Sequence, residues 1–279
     1  MPKSPVIRVD PSRTRRRIDR LRRYVDSELL CRNKFKCSDA GTCRSSVREG
    51  HVFLPGTMSH VGRRFDLTLG AKQLRVVVIG QEAKSSQVTL DKRYEDVLST
   101  GLNQRYKRDR DHDKRTAHMK GTTSALRVIF GHEPGYDWDS EWIHPQTGRK
   151  FHMFDGFALI NTLLCYAGPH KGVQARPTNS MVNNCARHLR NTLAILEPTL
   201  IILQGRKAQQ ASTNALRRGQ IYSDHVREAF LDDHRMVVCA FSHPSARLDQ
   251  RWGTTPHDQY LTDIVKPSLR KALRHLPKH

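Results

Sequence analysis

The chain has 279 residues, of which 37% are apolar, so it can bury the core of one large domain and is not a disordered tail. Lys and Arg number 48 against 27 Asp and Glu, and the formal net charge of +21 indicates a polyanionic partner, with nucleic acid favoured over an anionic membrane surface. The sequence has no apolar run near the roughly 18 residues of a membrane-spanning helix and no signal-peptide core, so we expect a cytoplasmic monomer that binds DNA and no membrane.

Residues 1 to 30 form a basic N-terminal leader that runs into a predicted helix. Ile18, Leu21, Val25 and Leu29 recur at helical spacing, and arginines cover the opposite face. This basic face is interpreted either as a solvated surface or as a DNA contact. The remaining residues, 31 to 279, are predicted to form a single domain.

Three cysteines follow within thirteen residues, at Cys31, Cys37 and Cys43. Their spacing differs from the paired Cys-x-x-Cys of most zinc sites, so the spacing alone does not define a metal site. In an intracellular chain, six cysteines indicate metal ligation or free thiols rather than a disulfide framework. Cys239 falls within an apolar run and is interpreted as a core residue.

The first clear strand covers residues 74 to 80, a β-branched run typical of a strand that is buried on both faces. Glu82 follows it directly and is interpreted either as a functional carboxylate or as a first-turn acid of a helix. Residues 85 to 120 are predicted to be a basic loop, which serves as a nucleic-acid clamp or is a disordered insertion. A short helix is expected at 122 to 130, and an irregular insertion at 131 to 152.

The second strand, residues 157 to 165, carries a single polar amide, Asn161. Burying an amide without a partner costs about 1 to 3 kcal/mol, so Asn161 needs a backbone or ligand partner. Two further apolar strands are expected at 200 to 205 and 235 to 240, and the second of these leads into His243. Four strands separated by helices predict a three-layer α/β/α domain around a central four-stranded parallel sheet.

Polar residues at the carboxyl ends of these strands form motifs that resemble those of the uracil-DNA glycosylase superfamily. Residues 80 to 84 resemble its first motif, residues 159 to 164 its base-reading strand, and residues 243 to 246 its second motif. Cys165 and Cys185, with the strand at 200 to 205, are similar to the iron–sulphur branch of that superfamily. The resemblance spans about residues 31 to 275, and its specificity lies in the combination of motifs.

The resemblance implies a DNA glycosylase, which flips a pyrimidine out of the stack and hydrolyses its N-glycosidic bond to leave an abasic site. Glu82 would hold the attacking water and balance the cationic sugar, and His243 would donate a hydrogen bond to O2 of the departing base. Asn161 would read the edge of the flipped base. The loop after His243 would grip a phosphate and fill the vacated gap with Ser245, Arg247 and Leu248.

The resemblance also implies a 4Fe-4S cluster. Cys165 and Cys185 would supply two of its four thiolates, and the N-terminal cysteines would supply the other two. Cys43 and Cys37 are the preferred pair, with Cys31 as the alternative ligand. A zinc site or free thiols are the alternatives to the cluster.

Two departures from the family pattern bear on the substrate. Lys84 stands where uracil-specific members carry a bulky aromatic that blocks pyrimidine C5, and His118 or Met119 replaces the aromatic that stacks on the base. We therefore expect a roomier, more polar base site formed by Gln81, Lys84, Met119 and Asn161.

This site suggests a hypothesis for the substrate, a cytosine with a large C5 substituent such as hydroxymethyl or glucosyl, in phage DNA, as an antiviral defence. An ordinary uracil-DNA glycosylase of base-excision repair is the first alternative. A non-catalytic DNA-binding protein is the second, because a fold does not determine a function.

Overall fold

The computed structural model describes residues 6–32, 34–81, 89–102, 115–170 and 175–278. Its strands are β1 (Ile7–Val9), β2 (Leu30–Cys31), β3 (Lys34–Phe35), β4 (His51–Pro55), β5 (His60–Val61), β6 (Leu67–Leu69), β7 (Lys72–Leu74), β8 (Val76–Gly80), β9 (Trp142–Ile143), β10 (Phe151–His152), β11 (Phe157–Asn161), β12 (Cys165–Pro169), β13 (Leu200–Gln204), β14 (Arg217–Ser223), β15 (Val226–Leu231) and β16 (His234–Phe241).

Its α-helices are α1 (Pro11–Glu28), α2 (Ala40–Ser45), α3 (Leu90–Leu102), α4 (Ala117–Ile129), α5 (Asn179–Leu196), α6 (Arg206–Ala215) and α7 (Lys266–Arg274). Single helical turns of other kinds lie at Asp139–Glu141, Met153–Asp155, Leu248–Gln250 and Leu261–Val265.

The centre of the fold is a mixed sheet of seven strands in the order β14-β15-β16-β13-β8-β11-β5. β8 pairs in parallel with β11 and β13, and β13 pairs in parallel with β16, whereas β5, β14 and β15 pair antiparallel. The predicted α/β class is confirmed, but the expected four-stranded parallel sheet is too small. The strands that were not predicted are short or polar, and they lie toward the two edges, where continuous apolar runs are not required.

The sheet is covered on both faces because its central strands are apolar on both sides. In β8, Val76 and Val78 join the core that contains α4 and α7, whereas Val77 and Ile79 join the core that contains α1 and α5. This alternation follows from the two-residue period of a strand. The three layers that the sequence predicts therefore have a separate apolar core on each face of the sheet.

Three regions differ from their sequence-based expectations. Residues 6 to 28, expected as a leader and helix apart from the domain, join it through the β1–β6 pairing and through Leu21 and Val25 of α1. α3 lies within the expected basic loop. The expected irregular insertion contains the paired strands β9 and β10.

The start of α4 is anchored by a buried ion cluster. Arg115 donates two hydrogen bonds to Glu141, at 2.9 and 2.7 Å, and His152 Nε2 lies 2.9 Å from the same carboxylate. Burial alone would raise the pKa of Glu141, but the hydrogen bonds from His152 and Arg115 outweigh it and lower the pKa to about 2. Because Arg115 lies just before Thr116, which caps α4, this cluster fixes where the helix begins.

Candidate active site

The ends of the parallel strands bring the predicted motifs together. Asn161, the last residue of β11, lies beside Gly80, the last residue of β8. Gly205, just after β13, approaches His243, so that a Cβ atom at Gly205 would lie 3.2 Å from His243 Cβ. The three segments that were expected to form the site therefore share one edge of the sheet, as parallel pairing requires.

Asn161 and Gln81 differ in what their polar groups contact. The Gln81 carbonyl accepts hydrogen bonds from Thr162 Oγ1 at 3.0 Å and from the Leu163 amide at 2.9 Å, which fixes the chain just after β8. The half-buried Asn161 carboxamide has no hydrogen-bond partner in the part of the chain that the structure describes. This carboxamide is therefore available to form hydrogen bonds with a ligand.

The hydrogen bonds of His243 select one tautomer of its imidazole. The backbone amide of Ser245 donates to His243 Nδ1 at 3.2 Å, and the Ser245 hydroxyl lies 2.7 Å from the same nitrogen. Nδ1 is thus an acceptor, so the neutral ring carries its proton on Nε2. Partial desolvation of the ring, which is exposed on one side, lowers the pKa of His243 and favours this neutral form. Ser245, expected to contact DNA, holds the His243 ring in place, and Nε2–H is left as a donor.

A second imidazole, that of His118, faces His243 across the site. The two rings are stacked with an interplanar angle of 19° and centroids 6.1 Å apart. A Cβ atom at Gly80 would lie 3.3 Å from His118 Cε1 and 3.4 Å from Asn161 Oδ1, so His118 and Asn161 flank this glycine. Burial, and then repulsion from His243 and Arg93, lower the pKa of His118 to about 3.

Met119, which the sequence predicts to contact the base, packs against the apolar core beneath α4. The sequence left His118 and Met119 as alternatives for the residue under the base, and the helix was predicted to begin only at residue 122. The cap at Thr116 fixes the residue at which α4 begins and so the direction of each side chain on it. Gly121 lets α4 lie close to the loop at Pro244, since a Cβ atom at Gly121 would lie 2.8 Å from Pro244 Cβ. It is this close contact that holds His118 opposite His243.

The loop after His243 presents a leucine to solvent. Leu248 is 82% exposed and has a φ of 50°, a left-handed conformation that costs a non-glycine residue about 1 kcal/mol. The base of the loop is tied down, because Trp252 Nε1 donates to the Ser242 carbonyl at 2.8 Å. Arg247 beside Leu248 is also exposed. Glu82 and Lys84, the two remaining predicted site residues, lie outside the described residues.

Four of the six cysteines gather away from this edge, between α2, α5 and β12. Cys43, Cys165 and Cys185 are buried, and the half-buried Cys37 packs against the same core. Burial, with smaller contributions from neighbouring cysteines, raises the pKa of the Cys165 and Cys185 thiols to about 12. These four cysteines therefore share one apolar core. Cys31 is exposed on the β2–β3 hairpin, and Cys239 is buried in β16.

A possible metal site of mixed ligands adjoins the four thiols. One ligand atom each from Cys37, Asp39 and His188 lie within 4.8 Å of one another. Tyr24 Oη lies 2.5 Å from His188 Nδ1, and Asn191 donates to Tyr24 Oη at 3.3 Å. The Tyr24 proton is then directed to Nδ1, so that His188 carries its own proton on Nε2, 3.6 Å from Cys37 Sγ. The sequence did not identify Asp39 or His188, which are about 150 residues apart and meet only through helix packing.

A family model for the uracil DNA glycosylase superfamily matches residues 67–266, well over half of the chain. The chain belongs to the uracil DNA glycosylase superfamily. Members of this superfamily are DNA glycosylases, so the resemblance predicted from the motifs is confirmed and DNA is supported as the partner. A comparison with curated proteins finds no match. Within the described ranges, no helix is long and apolar enough to cross a membrane.

His118 gives a pH-dependent prediction. Because its pKa of about 3 lies below the ordinary value of 6.5, the unfolded chain binds a proton that the folded chain does not between these pH values. Stability should therefore fall as the pH drops through this window, and H118F should make the fall shallower by roughly one proton. In NMR titrations, the His118 imidazole should stay neutral above about pH 4, and H243A should raise its midpoint by removing the repulsion. A midpoint near 6.5 in the native protein would contradict this assignment.

Proposed function

We propose that this protein is a DNA glycosylase that flips out a pyrimidine and hydrolyses its N-glycosidic bond. The observation that carries the proposal is the presence, at one sheet edge in a member of this superfamily, of the Asn161 amide, to which no described residue hydrogen-bonds, and of an Nε2–H donor on His243. The amide matches the edge of a base, and the donor matches a base oxygen that gains negative charge.

In the proposed reaction, water attacks C1′ as the C1′–N1 bond breaks and its electron pair leaves with the base. His243 donates a hydrogen bond to O2 of the departing base, where negative charge develops. Asn161 holds the Watson–Crick edge, and His118 lies against the ring from the α4 side. Glu82 accepts the proton of the water and balances the cationic sugar, a role proposed from its sequence motif.

We propose a C5-substituted cytosine of phage DNA, hydroxymethylated or glucosylated, as the preferred base, with antiviral defence as the role. The support is a cavity of about 540 Å³ that begins at Gln81 and Thr162 and runs between α5 and α6. Each helix contributes two carboxamides one turn apart to this cavity: Asn179, Asn183, Gln210 and Asn214. Carboxamides both donate and accept hydrogen bonds, as the hydroxyls of such a substituent require. Lys84, which in the sequence replaces the aromatic that blocks pyrimidine C5, is also expected to leave room for such a substituent.

Uracil excision in base-excision repair is the second candidate. The Asn161 amide supports it, because a carboxamide serves either uracil or cytosine by exchanging its oxygen and nitrogen. Binding of DNA without catalysis is the third, and it is supported by the net charge of +21 alone.

We further propose that Cys37, Cys43, Cys165 and Cys185 hold a 4Fe-4S cluster, with zinc as the alternative metal. The residues fit the group, because four cysteines from separate segments that share one apolar core match the four thiolates that such a cluster takes. When bound, the cluster would crosslink α2, α5 and β12. His188 Nε2 would donate to the Cys37 sulfur, and the reaction itself uses none of these residues.

The glycosylase proposal is tested by incubating the protein with duplexes that contain uracil, 5-hydroxymethylcytosine or its glucosylated form, followed by alkaline cleavage of abasic sites. We expect the glucosylated or hydroxymethylated base to be released fastest. H243A should lower the rate about 100-fold, because one donor to the developing charge is lost, whereas H257A, a change at an exposed histidine, should leave it unchanged. Release of uracil alone would refute the modified-base preference, and release of no base would refute the enzyme.

Leu248 is expected to fill the gap left by a flipped base. L248A should lower excision from duplex DNA about tenfold and leave excision from a single strand unchanged, because only in the duplex must the base be unpaired and unstacked at a cost in free energy. I221A is a matched control, since Ile221 is 75% exposed on β14. Equal effects of the two substitutions on duplex excision would show that Leu248 has no special role.

The cluster predicts a broad visible absorbance at roughly 400 nm in the purified protein. C185S should abolish this absorbance, because it removes a buried thiol of the group, whereas C31S should retain it. Iron and zinc content measured on the same samples separates the two metals. A colourless protein that contains zinc would exclude the cluster, and loss of colour in C31S would make Cys31 a ligand.

A further inference from the structure

The basic helix α1 meets the sheet at the edge opposite the candidate active site. A pocket of about 340 Å³ lies there, and its charged lining is Arg13, Arg16, Arg17, Arg20, Arg75 and Glu197. Arg75 directly precedes Val76, the first residue of β8, whereas Gly80, the last residue of that strand, belongs to the active site. The pocket is thus at the amino ends of the parallel strands.

Positive charge in this pocket is only partly neutralised. Arg17 pairs with Asp66 and with Glu197, each at 3.0 Å, and Arg20 lies 3.7 Å from the same Glu197. In the described part of the chain Arg16 has no ion pair. The Glu197 carboxylate, which lines this pocket, therefore lies close to more than one guanidinium group.

Arg75 is the buried member of the group, and its contacts are to neutral oxygens. Its Nε donates to the Glu197 carbonyl at 2.5 Å, and its Nη1 donates to Gln73 Oε1 at 2.8 Å. Burial, and then repulsion from Arg17, lower the pKa of Arg75 to about 10. A bound anion would relieve this repulsion.

A second groove, of about 230 Å³, continues the first and shares Arg13, Gln73 and Arg75 with it. It runs along the β6–β7 hairpin and adds Arg8 to the lining, together with Asp10, which pairs with Arg13 at 3.3 Å, and Asp66, which pairs with Arg17. The two grooves form one arginine strip, defined by Arg8, Arg13, Arg16, Arg17, Arg20 and Arg75. Guanidinium groups recognise phosphate oxygens through paired hydrogen bonds, and a continuous strip suits a series of phosphates better than one ion.

We propose that the arginine strip is a second phosphate-binding site, which holds the backbone of a second DNA segment while the opposite edge engages the target base. β8 separates the two sites by about 13 Å along its length, and they face opposite ends of the sheet. Because the two sites face opposite ends of the sheet, the strip is turned away from a duplex that is bound at the carboxyl ends of the strands. The strip would bind phosphates and not base edges, so its function does not depend on which base is excised.

The test uses the full chain and two duplexes that lack any modified base, one immobilised and one labelled and free. The wild-type protein should capture the free duplex on the immobilised one, and R16A/R20A should reduce this capture at least fivefold. The slope of log affinity against log salt for the free duplex should fall by about 2, because each lost phosphate contact contributes roughly 0.9. Single-turnover excision from a short substrate duplex should stay unchanged.

R190A/R270A is the matched control, because it removes two arginines that are 48% and 51% exposed, whereas Arg20 is 49% exposed. It should capture DNA as the wild type does. Equal capture by R16A/R20A and wild type would overturn the proposal. An equal loss of capture and of short-duplex excision would also overturn it, since α1 would then contact the DNA at the active site.

A melting-temperature measurement with inorganic pyrophosphate distinguishes DNA from a small phosphorylated molecule as the ligand of the arginine strip. If pyrophosphate raises the melting temperature of the wild type but not of R16A/R20A, and no free duplex is captured, the site binds a small anion and the DNA assignment is overturned. The failure of the proposed glycosylase activity is distinguishable, because the capture assay contains no substrate base.

Discussion

The parallel pairing of β11, β8, β13 and β16 is the constraint on which the rest of the structure depends. Parallel strands align their carboxyl ends, so Gly80, Asn161 and the segment at His243 reach one edge although they are far apart in sequence. The same pairing buries the strands on both faces, which requires helices above and below them. It also collects the amino ends, with Arg75, at the opposite edge.

Close packing at glycine positions shapes the candidate active site. Gly121 lets α4 contact Pro244, and Gly80 leaves room for the His118 imidazole beside Asn161. The buried cluster of Arg115 and Glu141 then fixes the start of α4, so that His118 is presented at the sheet edge. A site that depends on such approaches is rigid, since each contact leaves no space for a shift of the helix.

Among the described residues, exposed arginines occur at both ends of the parallel strands. At the carboxyl edge, the exposed Arg247 stands beside the exposed Leu248, which we propose fills the gap left by a flipped base. At the amino edge, the arginines of the strip lie on β1, on α1 and at Arg75 just before β8, at the opposite end of the sheet. The thiol group lies apart from both, where it ties the segment around Cys37 and Cys43 to α5 and β12.

The sequence by itself determined the features that depend on local pattern. Apolar runs identified the central strands, heptad-like spacing identified α1, and the motifs at the strand ends identified the superfamily and the polar residues Asn161 and His243. Only the tertiary structure decided the extent of the sheet, because β14 is a polar edge strand and β15 mixes polar and apolar residues, so that neither has the continuous apolar run of the central strands. It also decided that His118, and not Met119, faces His243, and that His188 meets Cys37. These contacts join residues more than 100 positions apart, and they follow from helix phase and strand register, which sequence spacing does not specify.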